Sequence, residues 1–254
     1  MDRVRISLMG EFAIEKDGRR VSRSEWRGRL PRLIVAYIIL KDHRRRRGVR
    51  TADLNAAFWP DAPDEEAARN RRNVAVHHAR SVLTLPGRRC LLTCRDDRYH
   101  LTWDDPALVI DIEKFHASAA RGDRAFGRDD RGQALSEYRD ACALFESGVA
   151  GNLPELRTHG EEALLQSCYR RCTERLLTLA WEQAGPTVVR DLALAALERD
   201  PLDHIAADWL DKSLTSLGDR FLARRTKRQF LVAFREAVGE SPPPVQMAES
   251  LDDL

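Results

Sequence analysis

The sequence lacks the long apolar run that a membrane-spanning helix requires. None of its apolar stretches approaches the roughly 18 residues needed to cross a bilayer, and no secretory-type apolar segment is present. Cysteine is scarce and odd in number, with five residues in 254, which argues against a disulfide framework. We therefore expect a cytoplasmic protein with no membrane partner.

The motifs of the common enzyme classes are missing as well. The sequence has no Gly-rich phosphate loop, no nucleophile elbow and no His-Glu-x-x-His pattern. Cys90 and Cys94 lie near His100, but zinc sites usually have closer cysteine pairs and four clear ligands. Cys168 and Cys172 are four residues apart, which on a helix favours core packing over a redox or ligand role. We expect no catalytic residues, no cofactor and no metal.

The chain also lacks an overall excess of charge, since 42 Lys and Arg face 40 Asp and Glu. The distribution is uneven, however. Residues 1–105 contain 23 Lys and Arg against 15 Asp and Glu, and the remainder contains 19 against 25. A basic N-terminal part suits a polyanionic partner, whereas the acidic remainder suits a protein partner or no specific one.

The basic part begins with strand patterns. Residues 4–9 and 11–15 alternate apolar and polar side chains, and Asp17-Gly18 is a strong hairpin sequence. A small antiparallel sheet is predicted. Pro31 then opens a strongly apolar helix that runs to Leu40, and a short helix is predicted around 51–58.

A long amphipathic helix is predicted over 65–84. Its apolar face contains Ala68, Ala75, Val76, Ala79, Val82 and Leu83, and its polar face contains Arg69, Asn70, Asn73, His77, Arg80 and Thr84. Because Arg pairs with guanine and Asn with adenine, we predict base contacts from Asn70, Asn73, His77 and Arg80. Arg69, Arg71 and His78 are expected to meet DNA phosphates. The alternative is an ordinary solvated helix.

A hairpin follows this helix. Residues 90–94 and 99–103 form strand patterns, and the polar turn between them contains Arg95 and Arg98. Three helices and a hairpin in this order are typical of a winged helix-turn-helix, so both arginines are predicted to contact the DNA backbone.

Two arginine features in this part leave alternatives open. The run Arg44, Arg45, Arg46 and Arg47 either clamps phosphate or forms a solvated loop. Arg72 interrupts the apolar face of the long helix. Either its side chain extends toward Asp61 or Asp64, or the helix sits differently, in which case Arg72 would be buried and unpaired.

Asp104-Asp105-Pro106 predicts a domain boundary. We assign 1–105 to the winged helix-turn-helix, 106–240 to a helical domain and 241–254 to a tail. Beyond the boundary the pattern is helical throughout, with six amphipathic segments joined by short Pro- or Gly-containing loops. Paired helices of this kind predict tetratricopeptide-like repeats, although no clean 34-residue period is visible. The predicted fold is therefore mainly α.

The ordered set of motifs resembles the SARP-type (antibiotic-regulatory-protein) transcriptional activators over nearly the whole chain. The matching segments are Phe58-Trp59-Pro60-Asp61, Glu65–Asn70, Val74–Val76 with Arg80, Tyr99-His100-Leu101, Asp111–Phe115, Asp200-Pro201-Leu202 and Phe234–Gly239. The resemblance implies an OmpR-type winged helix joined to a bacterial transcriptional activator domain. It also implies an activator that binds promoter direct repeats on double-stranded DNA and recruits RNA polymerase holoenzyme.

This sequence departs from the family pattern at Arg72, at His77-His78, at Ser81 and in the turn before Tyr99. The changes at 77, 78 and 81 reduce the charge of the polar face, so they bear on the target sequence. The rival hypothesis is a helical-repeat adaptor in which the winged helix binds a protein. Dimerisation, contact with polymerase and ligand binding all stay open as roles of the helical domain.

Overall fold

The computed structural model describes residues 3–85, 90–145 and 148–242. The described chain forms two compact units. The first unit comprises Met1–Glu113 with Val149–Glu162, and the second comprises Lys114–Gly148 with the chain from Ala163 onward. The predicted boundary at 105/106 and the predicted tail at 241–254 stay predictions; from residue 243 the tail lies outside the described residues.

The strands are β1 Val4–Ser7, β2 Ala13–Lys16, β3 Arg19–Arg20, β4 Val49–Arg50, β5 Leu92–Arg95, β6 Arg98–Leu101 and β7 Leu108–Ile110. The α-helices are α1 Leu30–Asp42, α2 Thr51–Phe58, α3 Glu65–Leu83, α4 Asp111–Phe126, α5 Arg131–Leu144, α6 Glu161–Ala184, α7 Pro186–Arg199, α8 His204–Ser216 and α9 Arg220–Val238. A 3₁₀ helix occupies Pro154–His159.

The N-terminal sheet has the order β3-β2-β1-β7. β1 and β2 pair antiparallel, as predicted, but β7 runs parallel to β1 with Leu108 opposite Val4. The expectation of helix throughout 106–240 is therefore wrong at β7, and the sheet is mixed rather than purely antiparallel. Leu108 and Ile110 are buried, so this three-residue run gains more from sheet burial than from extending α4.

The winged helix-turn-helix is formed by α1, α2, α3 and the β5–β6 hairpin. α1 begins with Pro31 in its first turn and buries almost every side chain from Leu33 to Leu40. β4 adds to the hairpin and makes a three-stranded sheet of order β4-β6-β5. Asp96 and Asp97 both have positive φ, as a tight hairpin turn requires. The wing is thus anchored by a strand that precedes α2.

Residues 149–162 return to the first unit after α5. The amides of Ala150 and Gly151 donate to the carbonyls of Leu8 and Gly10, each at 2.7 Å. Asn152 brackets the backbone of Phe12: its Oδ1 accepts from the amide at 2.9 Å, and its Nδ2 donates to the carbonyl at 3.1 Å. The sequence pattern gave no indication of this return.

The second unit is helical, as predicted. Phe145 stacks on Tyr169 with ring centroids 4.3 Å apart, and Trp209 lies with Leu210 in a core formed by α6, α7, α8 and α9. The carboxylate of Asp203, which is fully buried, caps α8 by accepting from the amides of Ile205 and Ala206. Among the described residues, no helix combines the length and apolarity needed to cross a membrane.

Candidate nucleic-acid interface

Helix α3 has the amphipathic orientation that its sequence predicts. Asp64 caps its N-terminus, where Oδ1 accepts from the amide of Ala67 at 2.7 Å. The buried side chains of α3 are Ala68, Ala75, Val76, Ala79, Val82 and Leu83, the same six that form the predicted apolar face. Their burial fixes the rotation of the helix and so decides which residues face solvent.

The opposite side of α3 carries an exposed ridge. Its members all have exposed side chains, and they are Asn70, Asn73, Val74, His77 and Ser81. Three of the four predicted base-contact residues lie on this ridge, at spacings of three and four residues that keep them on one side of the helix. Val74, which is 61% exposed, was not among the predicted contacts; an unburied valine inside a polar face is the feature of the sequence that could have indicated it.

Arg80, the fourth predicted base contact, has a different environment. Its side chain is half-buried, and Nε donates to the carbonyl of Leu92 at 3.2 Å. The hydroxyl of Thr84 donates to the Arg80 carbonyl at 2.7 Å. The structure thus places Arg80 between the end of α3 and the first strand of the wing, apart from the ridge.

The predicted backbone contacts on α3 flank the ridge. Arg69 and Arg71 are exposed, and His78 is half-buried. The rings of His77 and His78 lie edge to face with centroids 5.5 Å apart, so the half-buried imidazole of His78 contacts the exposed one of His77. These three residues surround Asn70, Asn73 and His77 with cationic or protonatable groups.

Arg72 points away from the direction that we predicted. Its Nη1 donates to Oδ1 of Asn55 on α2 at 2.9 Å, rather than reaching Asp61 or Asp64. Burial raises the pKa of the Tyr99 phenol on β6, and the nearby charge of the Arg72 guanidinium opposes that effect. A cation on the apolar face is therefore accommodated as a polar link between α2, α3 and the wing, with the helix register intact.

The two wing arginines have different positions. Arg95 is exposed next to the turn formed by Asp96 and Asp97. Arg98 is half-buried, and its Nη1 donates to the carbonyl of Gly48 at 3.1 Å. The wing tip therefore presents one outward arginine next to two aspartates, and its second arginine holds the wing to the loop before β4.

The four-arginine loop is ordered by a buried aspartate. Asp42, 2% exposed, accepts from the amide of Gly48 at 2.7 Å and from the indole of Trp103 at 3.0 Å. Arg46 forms ion pairs with Asp104 and Glu113. The side chains of Arg44, Arg45 and Arg47 are exposed. The run therefore divides into one structural arginine and three outward ones.

Several predicted phosphate contacts surround one concavity. A cavity of about 680 Å³ is lined by Arg45, Arg47 and Arg98, together with Lys41 and the acidic Asp42 and Asp53. The hydrogen bond from Arg50 holds the pKa of Asp53 below its ordinary value. Arg45 and Arg47 of the loop thus lie around the same cavity as Arg98 of the wing and residues of α2.

The described residues contain no cluster of three or more His, Cys, Asp or Glu side chains that could hold a metal ion. The arrangement instead offers amide, imidazole and guanidinium donors on a convex helix next to a hairpin. Such donors suit the base edges and phosphates of a duplex.

Fold and interface define a class: a winged helix-turn-helix followed by an all-helical unit, as the sequence predicts. The structure is similar to that of EmbR from Mycobacterium tuberculosis, solved in complex with a low-affinity phosphopeptide, with a TM-score of 0.73 and 19% sequence identity. The match covers 96% of this chain and 63% of the EmbR chain. The resemblance to SARP-type regulators is thereby confirmed at the level of the fold.

No family model matches the sequence. No curated protein matches it either. The chain spans less than two thirds of the EmbR chain, so the likeness concerns this shared part.

Proposed function

We propose that the protein is a sequence-specific DNA-binding transcriptional regulator. The observation that carries the proposal is the exposed ridge of α3, where Asn70, Asn73 and His77 project from a helix whose other side is fully packed. The fold shared with EmbR, a SARP-family transcriptional regulator, supports the same role. In this proposal α3 enters the major groove and the wing lies along the backbone.

The roles of individual residues follow from their positions. Asn70, Asn73 and His77 contact base edges, and Val74 provides an apolar surface for a thymine methyl group. Arg69, Arg71, His78 and Arg95 contact phosphates, as do the outward arginines of the loop, Arg44, Arg45 and Arg47. Arg46 and Arg98 have protein partners, so their contribution to phosphate binding is the smallest of the set.

The finer proposal is an activator that works in the cytoplasm on promoter direct repeats. Direct repeats place two copies of the protein head to tail on the DNA rather than across a two-fold axis. The helical unit then contacts RNA polymerase holoenzyme. These points rest on the resemblance stated above, and a palindromic footprint would contradict the head-to-tail arrangement.

Selection of bound duplexes from a random pool, followed by footprinting, tests site sequence and repeat geometry together. A salt titration of the selected duplex tests the electrostatic part. If about six phosphates are neutralised, a plot of the logarithm of the association constant against the logarithm of the salt concentration has a slope of about −5. A flat salt dependence, or a pool that shows no enrichment, would argue against DNA binding.

A second candidate is an adaptor that uses the winged helix to bind a protein. The observation that favours it is the exposed Val74, because an apolar side chain suits a protein partner as well as a thymine methyl group. Chromatin enrichment without discrete sites, together with one stoichiometric protein partner in pull-down, would support the adaptor over the regulator.

A further inference from the structure

A cleft lies beside the exposed ridge of α3. Its floor is apolar and is made by Leu30, Pro31, Trp59, Val74 and Ala75. These side chains come from the start of α1, the loop after α2 and the middle of α3. The cavity is about 560 Å³, within the range of roughly 300–1,000 Å³ typical of small-molecule sites.

The rim of the cleft is cationic. Arg27, Arg29 and Arg71 border it together with His78. Arg29 is paired with Glu155 at 2.7 Å. The side chains of Arg27 and Arg71 are exposed and form no ion pair within the described ranges, so two guanidinium groups remain to meet a negative charge at the edge of an apolar floor.

From this geometry we propose that the cleft binds a small amphipathic anion, namely a flat apolar body that carries one carboxylate or sulfonate group. The body covers Trp59 and Val74, and the acidic group lies between Arg27 and Arg71. Charge complementarity selects an anion over a neutral molecule. The limited volume favours a small molecule over a protein segment.

The site shares residues with the exposed ridge. Arg71 lines the cleft, and Asn70 and Val74 both line it and face outward on α3. A ligand seated there would therefore exclude DNA from this side of the helix. This consequence rests on the proposed function, whereas ligand binding itself does not depend on it.

The experiment uses two fluorescent probes with the full chain. Anilinonaphthalene sulfonate is an aromatic anion, and N-phenyl-1-naphthylamine is its neutral analogue. We expect saturable 1:1 binding of the anion, about 3- to 10-fold tighter than that of the neutral probe, since one paired charge at a partly exposed site contributes about 1 kcal/mol.

Three variants localise the binding. Val74→Glu places a like charge on the floor, and Arg71→Gln removes one rim cation from an exposed helix position. Arg27→Asn removes the other, at a residue with φ of +51°, a conformation that asparagine tolerates. We expect Val74→Glu to abolish the saturable phase and each arginine variant to weaken it several-fold. Phe221→Ser is the matched control, because Phe221 is 77% exposed on α9.

The outcomes separate the proposals. Equal binding of both probes, or anion binding unchanged in Val74→Glu, would overturn the site. Loss of binding in Phe221→Ser would place the anion on α9 instead and would overturn it as well. Circular dichroism of each variant confirms folding. If the selected duplex displaces the bound anion from the wild-type protein, competition is supported; if both bind at once, competition is wrong. If no duplex is selected, the function fails while the probe titrations still test the site.

Discussion

Asp111 shows how one carboxylate joins distant parts of the first unit. Its Oδ2 accepts from the amides of Leu8 and Met9, both at 2.8 Å, and Oδ1 accepts from the amide of Ile112 at 2.7 Å. It thereby accepts hydrogen bonds both from the backbone amides just after β1 and from an amide in the first turn of α4. The sequence marked Asp111 only as part of a family motif.

We expect Asp111→Ala to lower the free energy of unfolding by about 2–4 kcal/mol, because two partly buried amides lose their acceptor. Urea unfolding of the full chain, followed by circular dichroism, measures the change. Asp61→Ala, at an exposed loop position, serves as the control and is expected within about 0.5 kcal/mol of wild type. Equal stability of the two variants would contradict the role of Asp111.

Cys168 is half-buried, and its neighbours set it apart from the buried thiols of Cys142 and Cys172. Hydrogen bonds from Cys172, His116 and Arg171 hold the pKa of Cys168 well below its ordinary value, and the Arg171 Nη2 lies 3.6 Å from its sulfur. The pKa of Cys172 is raised by the same hydrogen bond and by burial. Because the pKa of Cys168 is lowered, its thiolate persists below neutral pH. The stability gained from this ionisation is complete above the ordinary thiol pKa and is lost progressively as the pH falls from there through the lowered pKa.

We expect iodoacetamide to label Cys168 at pH 6 at a rate that changes little up to pH 7. An ordinary thiol with a pKa of about 8.5 speeds up roughly tenfold over that interval. Peptide mapping by mass spectrometry identifies the labelled site. Arg171→Gln should restore part of the pH dependence. A tenfold rise at Cys168 in the wild-type protein would show that the thiol is not activated.

A substitution at Arg80 can distinguish two roles for this residue, namely contact with a base and positioning of the wing. Since its Nε donates to the Leu92 carbonyl, we expect Arg80→Ala to weaken all duplexes by a similar factor, through a displaced wing. A bidentate contact with guanine would instead cost about 1–3 kcal/mol at one base pair only. Binding of single-substitution duplexes distinguishes the two. Asn73→Ala is the comparison, because its loss should be concentrated at one position.

At the scale of elements, β4 and the wing depend on one glycine. Gly48 has a φ of +73°, and a Cβ built there would lie 2.5 Å from the His100 ring. Its amide donates to Asp42, and its carbonyl accepts from Arg98. The loop thus brings its backbone directly against the middle wing strand, where only glycine fits without rearrangement.

We expect Gly48→Ala to destabilise the protein by about 1–3 kcal/mol through strain and the displaced imidazole. Gly132→Ala is the control: no atom lies within 4 Å of the added methyl group in α5, so it should stabilise by about 0.5–1 kcal/mol. Thermal unfolding of both variants measures the changes. A neutral Gly48→Ala would mean that the ring moves aside freely.

Helix α3 is the element that the sequence predicts best, and strand β7 is the one that it misses. The two differ in how far apart in the sequence their contacts lie. The apolar face of α3 follows from a 3.6-residue period, so all six of its buried residues could be identified. β7 is three residues long, lies next to Pro106, and pairs with β1 about a hundred residues away. No local pattern distinguishes such a strand from the start of a helix. The direction of Arg72 was missed for a related reason, since Asn55 and Tyr99 lie on other elements.

At the scale of the whole molecule, the first unit depends on residues well beyond the predicted boundary. β7 and Asp111 follow residue 105, and Asn152 holds the backbone of Phe12. Sequence patterns could predict the winged helix-turn-helix and the helical unit. They could not predict that 149–162 returns. Its hydrogen bonds and ion pairs reach across more than a hundred residues, and its buried side chains, such as Leu153 and Leu156, lie in a short segment without a periodic apolar face.

We expect a fragment of residues 1–105 to be less stable than a fragment of residues 1–162. The shorter one loses the parallel partner of β1 and the acceptors for the amides of Leu8, Met9 and Phe12. Thermal unfolding and amide exchange of the two fragments provide the measurement. Similar protection of β1 in both would mean that the first 105 residues fold independently.

The return of 149–162 to the first unit also limits where two related proteins can be joined to make a chimera. The chain passes from one unit to the other at 113/114, at 148/149 and at 162/163. A single crossover between two related genes therefore cannot exchange the whole first unit. A chimera joined at one point would combine the N-terminal sheet of one parent with residues 149–162 of the other. Functional hybrids should require two matched junctions, or compatible residues at positions 12 and 152.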